Sequence, residues 1–123
     1  MNREDLEALF CMKISAELEV FQMQMLKKTP EEIYGNAYLI DSMINFYEVL
    51  AEKAEYLDAG QLESLFAIPN LLKYFYDRWL DYEDHHVQDI NECMTQTIRE
   101  IGKRAGKERA FYEKVNINRR IRA

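Results

Sequence analysis

The sequence predicts an all-α fold: a small bundle of four to five helices with a partly frayed basic C-terminal helix or tail. Apolar residues recur at spacings of three and four, which is typical of one buried helix face. Helix-capping residues stand at the starts of these periodic segments. The 123 residues contain only four glycines and two prolines, and polar and apolar residues do not alternate as in strands, which disfavours a β fold.

The clearest helix start is Thr29-Pro30-Glu31-Glu32, in which Thr and Glu form a capping box and Pro occupies the first helical position. We expect one central helix from Thr29 to Asp58, ended by Gly60 in a left-handed conformation. Its predicted buried face consists of Leu39, Met43, Phe46, Tyr47, Leu50, Ala54 and Leu57.

The other helices follow from the same signals. Asn2 is expected to cap a first helix that runs to about Lys28. A short helix over Gln61–Ile68, with Phe66 among its inward residues, ends at Pro69. Asn70 and Asp84 are the expected caps of the two last helices.

The first helix has two apolar stripes. Leu6, Phe10, Ile14, Leu18, Phe21 and Met25 form the predicted core face. The second stripe consists of Leu9, Met12, Ala16, Val20 and Met23, at spacings of three, four, four and three. It is either buried between neighbouring helices or reserved for a partner, including a second copy of the chain.

Charge divides the chain into two predicted parts, an acidic helical domain over residues 1–101 and a basic C-terminal extension over residues 102–123. The net charge is −12 over residues 1–100 and +6 over the remaining 23 residues. Eight cations in the extension are candidate phosphate contacts for a nucleic acid, although basic tails also serve solubility or protein docking. They are Lys103, Arg104, Lys107, Arg109, Lys114, Arg119, Arg120 and Arg122.

The central helix carries the predicted partner-binding residues. Asp41, Glu48, Glu52 and Glu55 form an acidic line. Tyr34, Tyr38 and Tyr56 lie on a neighbouring stripe. Carboxylates arrayed on a rigid helix can occupy a basic cleft that normally holds phosphates, whereas the plainer interpretation is a solvated acidic surface.

The remaining polar clusters favour structural roles. His85, His86 and Asp89 are weak candidates for a metal site, because no HExxH pattern is present and adjacent histidines point about 100° apart. An acidic helix junction is the alternative. Cys11 and Cys93 lack CxxC spacing and are predicted to be reduced thiols.

We predict no enzymatic activity and no cofactor, because neither a phosphate-binding glycine loop nor a GxSxG motif occurs. The N-terminus is charged rather than apolar, and no run of about 18 apolar residues exists. The sequence therefore predicts a soluble, cytoplasmic protein without a membrane partner.

Several motifs stand out in the sequence: Leu9-Phe10-Cys11-Met12-Lys13, Glu17, Phe21, Lys28-Thr29-Pro30-Glu31-Glu32-Ile33, Ala37-Tyr38 and the Tyr-x-x-Trp-Leu end of Leu71–Leu80. Together they resemble an uncharacterised bacterial and phage domain family of gut Firmicutes and their mobile elements. The likeness covers roughly residues 6–98, with Met12-Lys13 in reversed order and Leu39 where the family has Glu. It implies a phage or mobile-element setting and brings no catalytic residues.

These observations predict a protein-binding module, and the implied setting makes an inhibitor of a host defence nuclease, as in anti-CRISPR proteins, one concrete version. One alternative is a nucleic-acid-binding accessory or regulatory protein that acts through the basic extension. The other is a self-associating structural protein that uses the second stripe of the first helix.

Overall fold

The structure, a computed structural model, describes the backbone of residues 1–83 and 90–122 and the side chains of residues 1–81 and 90–107. Its described residues form α-helices, one 3-10 turn and no strand, which confirms the all-α fold class. The elements are α1 (Arg3–Leu26), α2 (Pro30–Gly35), α3 (Ala37–Lys53), the 3-10 turn (Ala54–Tyr56), α4 (Ala59–Phe66), α5 (Leu71–Glu83) and α6 (Ile90–Arg122).

The first two helices begin where the sequence predicts. The side chain of Asn2 accepts the backbone N–H of Asp5 at 2.8 Å and caps α1. At the start of α2, the hydroxyl of Thr29 accepts the N–H of Glu32, and the Glu32 carboxylate accepts the N–H of Thr29, each at 3.2 Å. This reciprocal pair is the predicted capping box, and it satisfies amides that a helix start leaves without intrahelical partners.

The predicted central helix is divided in two, because α2 ends at Gly35 and α3 begins at Ala37. The amide side chain of Asn36 donates to the carbonyl of Glu32 at 2.7 Å, and the backbone of Asn36 leaves the helical region. Gly disfavours a helix, and Asn competes for backbone hydrogen bonds, so the pair ends α2 locally. The described chain therefore has six α-helices instead of four or five.

The predicted role of Gly60 as a left-handed terminator is also wrong. Gly60 lies inside α4, and no glycine in the described residues has a positive φ. Asp58 starts α4 instead: its side chain accepts the N–H of Gln61 at 2.8 Å, and the Gln61 side chain accepts the N–H of Asp58 at 3.0 Å. The sequence has a second capping box here, and it begins a helix two residues earlier than expected.

Five of the six helices enclose one core, and α2 contributes no buried residue to it. The predicted inner stripe of α1 and the predicted face of α3 both point inward, with Leu18, Phe21, Leu39 and Tyr47 only half-buried. Phe66 was expected inside and is exposed at the end of α4. The core consists of Leu6, Phe10, Ile14, Met43, Phe46, Leu50, Ala54, Leu57, Leu62, Leu65, Leu71, Leu72, Phe75, Met94, Ile98 and Ile101.

Arg3 of α1 binds the end of the α3 segment. Its guanidinium donates to the carbonyls of Ala54 at 2.8 Å, Glu55 at 2.7 Å and Leu57 at 2.8 Å. Carbonyl groups at a helix end lack intrahelical donors and carry partial negative charge, so a cation there is favourable. One side chain therefore closes the 3-10 turn and holds it against the start of α1.

Glu17 of α1 makes the corresponding contact with α5. Its carboxylate accepts the N–H of Leu72 in the first turn of α5 at 2.9 Å and pairs with Lys13 at 2.8 Å. Asn70, which was expected to cap α5, adopts a left-handed backbone conformation with φ 51°. The carboxylate that meets the positive end of α5 thus comes from another helix.

The last helix joins the predicted acidic domain to the basic extension without a break. α6 runs through Gly102 to Arg122, and among its side chains described up to Lys107, Ile101 is the last one in the core. Within the body, Arg78 of α5 pairs with Glu100, and Lys53 of α3 donates to the hydroxyl of Thr95 at 3.0 Å. The predicted boundary after residue 101 therefore falls inside one helix.

Replacing Arg3 with Ala should lower the free energy of unfolding by about 1–2 kcal/mol, because three carbonyl groups lose a charged donor. Urea denaturation monitored by circular dichroism measures the change. Lys73→Ala is the control, since its ion pair with Asp77 is exposed and should contribute less than about 0.5 kcal/mol. Equal losses for the two variants would contradict a structural role for Arg3.

Candidate functional site

The predicted acidic line forms a continuous exposed feature of the α3 segment. Asp41, Glu48 and Glu52 lie on α3, and Glu55 lies on the 3-10 turn that continues it. All four side chains are exposed. Their spacings of seven, four and three residues place them on one side of the segment, while Met43, Phe46 and Leu50 fill the opposite, buried side.

The acidic line carries no neutralising cation among the described side chains. Among the described side chains, none of the four carboxylates forms an ion pair, and the amide of Asn45 donates to Asp41 at 3.3 Å. Glu48 and Glu52 are like charges at i,i+4, an arrangement that destabilises a helix by about 0.2–0.5 kcal/mol. The acidic line therefore contributes nothing evident to the stability of the fold.

Two of the three predicted tyrosines, Tyr38 and Tyr56, lie on the α3 segment, whereas Tyr34 lies on the separate helix α2. Tyr34 on α2 is 85% exposed, and Tyr56 on the 3-10 turn is 82% exposed. Tyr38, at 49%, is held in place: its hydroxyl accepts the indole N–H of Trp79 at 2.7 Å, and its ring centroid lies 6.5 Å from that of Tyr76. We refer to the acidic line and these three tyrosines as the tyrosine–acid face.

The tyrosine–acid face combines the two side-chain types that suit a cationic protein surface. Carboxylates accept the paired N–H groups of arginine, and exposed tyrosine rings provide flat apolar area with a polar tip. Tyr is enriched at the cores of protein interfaces. Tyr38 is fixed by its hydrogen bond with Trp79, whereas the rings of Tyr34 and Tyr56 are more exposed.

The second stripe of α1, which we call the α1 stripe, is a surface feature. Met12 is 67% exposed, Val20 53% and Met23 55%, and Ala16 is exposed as well, whereas Leu9 is half-buried. The alternative that neighbouring helices bury this stripe is therefore wrong for four of its five residues. A contiguous apolar surface of this kind is typical of contact with another molecule.

Only part of the basic extension has described side chains. Lys103, Arg104 and Lys107 are exposed on α6. The backbone positions of the other five cations lie on the helix, but their side chains fall outside the described ones. These are Arg109, Lys114, Arg119, Arg120 and Arg122.

The metal candidates His85, His86 and Asp89 lie outside the described residues. Among the described side chains of residues 1–81 and 90–107, no three His, Cys, Asp or Glu side chains come together in a group that suits a metal ion. The structure therefore offers no support for a metal site in that part of the chain, and the three candidates keep the status of a prediction.

The two cysteines are free thiols, with Cys11 half-buried and Cys93 buried. Burial raises the pKa of both thiols above its usual value, and the carboxylate of Glu7 raises that of Cys11 further. The thiolate is the reactive form of cysteine, so both residues are poor nucleophiles at neutral pH. Their surroundings favour packing over chemistry.

Two exposed residues beside the α1 stripe are not among the residues that the sequence predicts for this surface. Phe66 was assigned to the core, and Leu26, 78% exposed, was not assigned at all. Leu26 continues the stripe three residues beyond Met23, so periodicity contains a signal for it. The sequence has no comparable signal for Phe66, which lies four residues after the buried Leu62 and yet is exposed at the last position of α4.

Comparison of the chain with protein-family models, curated proteins and solved structures yields no match. The resemblance to a phage and mobile-element family therefore stays a prediction. In the described part of the chain, no helix combines the length and apolar character that crossing a bilayer requires.

The capping box that holds α2, and with it Tyr34, should weaken in acid. Hydrogen bonds from the backbone and hydroxyl of Thr29 lower the pKa of Glu32. Because the folded-state pKa lies below the unfolded one, this stabilisation is present above the unfolded value, near 4.3, and is lost as pH falls through the folded value. Hydrogen exchange at α2 amides should therefore rise selectively below about pH 4.

Glu32→Gln is the control for this pH effect, because Gln completes a capping box without titrating. Its α2 amides should show a flatter exchange profile against pH, after correction for intrinsic exchange rates. Identical profiles in the wild type and the Gln variant would rule out Glu32 as the titrating group.

Proposed function

We propose that this chain is a non-enzymatic protein-binding module whose tyrosine–acid face engages a cationic protein surface. The observation that supports it best is that no described cation pairs with the acidic line. Asp41, Glu48, Glu52 and Glu55 are exposed and form no ion pairs among the described side chains. Repelling charges on one helix side are unfavourable for folding alone, so their arrangement favours an external partner.

The kind of partner follows from the dimensions of the face. From Asp41 to Glu55 the segment rises about 20 Å, given a rise of about 1.5 Å per helical residue. A rigid row of carboxylates of this length suits a groove lined by Lys and Arg, such as one that holds a nucleic-acid backbone. The tyrosines at its ends add apolar contact that a phosphate backbone does not provide.

In the setting that the family resemblance implies, a nuclease of host defence is a partner with such a groove. The proposed mode of action is then competition, in which the acidic line occupies the groove and excludes the nucleic acid. This is the manner of an anti-CRISPR protein that mimics nucleic acid. The mechanism requires electrostatic complementarity and no bond-making step by this chain.

Neutralising the acidic line should weaken partner binding about tenfold or more, which corresponds to about 1.4 kcal/mol. The variant carries Asp41→Asn, Glu48→Gln, Glu52→Gln and Glu55→Gln. The partner is captured on immobilised wild-type chain from the lysate of the native host, identified by mass spectrometry and purified. Its affinity for both chains is then measured by calorimetry at low and high salt.

A matched control neutralises four other carboxylates on the exposed surface. It carries Glu31→Gln, Glu63→Gln, Asp77→Asn and Asp81→Asn, and should bind nearly as well as the wild type. Steep loss of affinity with salt is expected for the wild type and a shallower loss for the neutralised line. Equal affinity and salt dependence in all three chains would contradict the proposal.

A second candidate function is nucleic-acid binding through the basic extension. It is supported by the continuity of α6, which places eight cations on one helix. Lys103, Arg104 and Lys107 are exposed and begin this basic segment. The net charge of −12 over residues 1–100 opposes such binding, so the contacts have to come from the extension.

Deleting residues 103–123 should abolish binding to a fluorescent oligonucleotide, measured by anisotropy at low salt. For duplex DNA, the slope of log K against log salt approaches about −7 if all eight cations contact phosphates. The chain with the neutralised acidic line is the control and should bind at least as tightly as the wild type. Oligonucleotide binding that survives the deletion would exclude the extension as its cause.

A further inference from the structure

The α1 stripe has a feature beyond its exposure: its spacing reads the same in both directions about Ala16. Leu9 lies seven residues before Ala16 and Met23 seven after it. Met12 and Val20 lie four residues before and after. This symmetry lets two antiparallel copies align every position of the stripe with another position of the stripe, as an isologous contact about a two-fold axis does.

Charge extends the symmetry to the ends of the stripe. Asp5 lies four residues before Leu9, and Lys27 four residues after Met23. Both are exposed and on the side of the stripe, and neither forms an ion pair among the described side chains. In two antiparallel copies, Asp5 of each meets Lys27 of the other.

The opposite orientation lacks this complementarity. Two parallel copies in register bring Asp5 against Asp5 and Lys27 against Lys27, and like charges across a contact are unfavourable. The apolar positions alone do not distinguish the two orientations as sharply. The ends of the stripe therefore select the antiparallel arrangement.

We propose that two copies of this chain associate through antiparallel α1 helices, with the two-fold axis at Ala16. Leu9 of one copy then lies opposite Met23 of the other, and Met12 opposite Val20. The small side chain of Ala16 stands at the axis, where it permits close approach of two helices whose axes typically lie 8–10 Å apart. The α1 helices are about 36 Å long, so the seam has room for all of these pairs.

Neighbouring elements add to the same surface. Phe66 and Pro69 border a shallow groove of about 540 Å³ beside Leu9 and Met12. A cavity of about 150 Å³ already accommodates a benzene ring, so this groove has room for apolar side chains. In the proposed pair, Val20 of the second copy lies at the level of this groove, next to the exposed ring of Phe66.

The proposed contact between two α1 helices includes no residue of the acidic line and none of the three tyrosines, so it is independent of the proposed partner binding. Variants of the α1 stripe should change the oligomeric state and leave the tyrosine–acid face intact. Conversely, the neutralised acidic line should keep the oligomeric state of the wild type. The failure of one proposal is therefore distinguishable from the failure of the other.

Disulfide trapping tests the axis. Ala16→Cys should form a covalent dimer under mild oxidation, because the two side chains meet at the two-fold axis. Ala51→Cys is the matched control, an equally exposed alanine on α3, and should stay largely monomeric on a denaturing gel. Wild-type chain, treated in parallel, controls for its own Cys11 and Cys93.

A second trapping experiment tests the orientation. Chains with Leu9→Cys and chains with Met23→Cys, made with tags of different size, should cross-link mainly to each other when mixed. Parallel pairing would instead cross-link each variant to itself. Preferential self-linking, or a wild type that stays monomeric in sedimentation at the trapping concentrations, would overturn the proposal.

Charge exchange provides a test without cysteine. Asp5→Lys and Lys27→Asp should each weaken self-association at least tenfold, and an equimolar mixture of the two variants should restore it. Val20→Glu should give a monomer that keeps its helical circular dichroism, because Val20 lies on the surface. If the mixture associates no better than either variant alone, the Asp5–Lys27 contact does not exist.

Discussion

The fold depends on α1 holding the ends of two other helices through opposite charges. Arg3 binds the carbonyl end of the α3 segment, and Glu17 accepts an amide at the start of α5. Each charge has the sign that the facing helix dipole favours. Between Arg3 and Glu17, the side chains of Phe10 and Ile14 enter the core. The polar contacts therefore set the positions of the α3 segment and of α5 along α1, which apolar packing alone specifies less sharply.

Local signals explain what the sequence predicts well. Capping boxes involve residues three apart, and helix faces repeat every three or four, so the starts of α1 and α2 and the buried face of α3 follow from short stretches. The helix boundaries at Gly35-Asn36 and at Asp58 are harder to predict, since each of these residues is compatible with the end of a helix and with its continuation. The hydrogen bond from Arg3 to the carbonyl of Leu57 joins residues 54 positions apart, so no local sequence pattern predicts it.

The candidate surfaces divide in the same way. The acidic line and the tyrosines follow from composition and spacing, because charged residues on a helix stay in water. The sequence does not decide whether the α1 stripe is buried or exposed, because periodicity shows which residues share a helix face but not what covers that face. Only the packing of the other helices around Phe10 and Ile14 shows that the stripe lies outside.

The short helix α2 has a consequence for recognition. None of its residues is fully buried, Ile33 is half-buried, and its described side-chain hydrogen bonds are those of its own capping box and of Asn36. Elements with little buried apolar area open locally at low free energy. If the proposed binding occurs, Tyr34 reaches the partner from a short helix that can shift locally, so one end of the contact adapts in shape while the carboxylates on α3 keep their spacing.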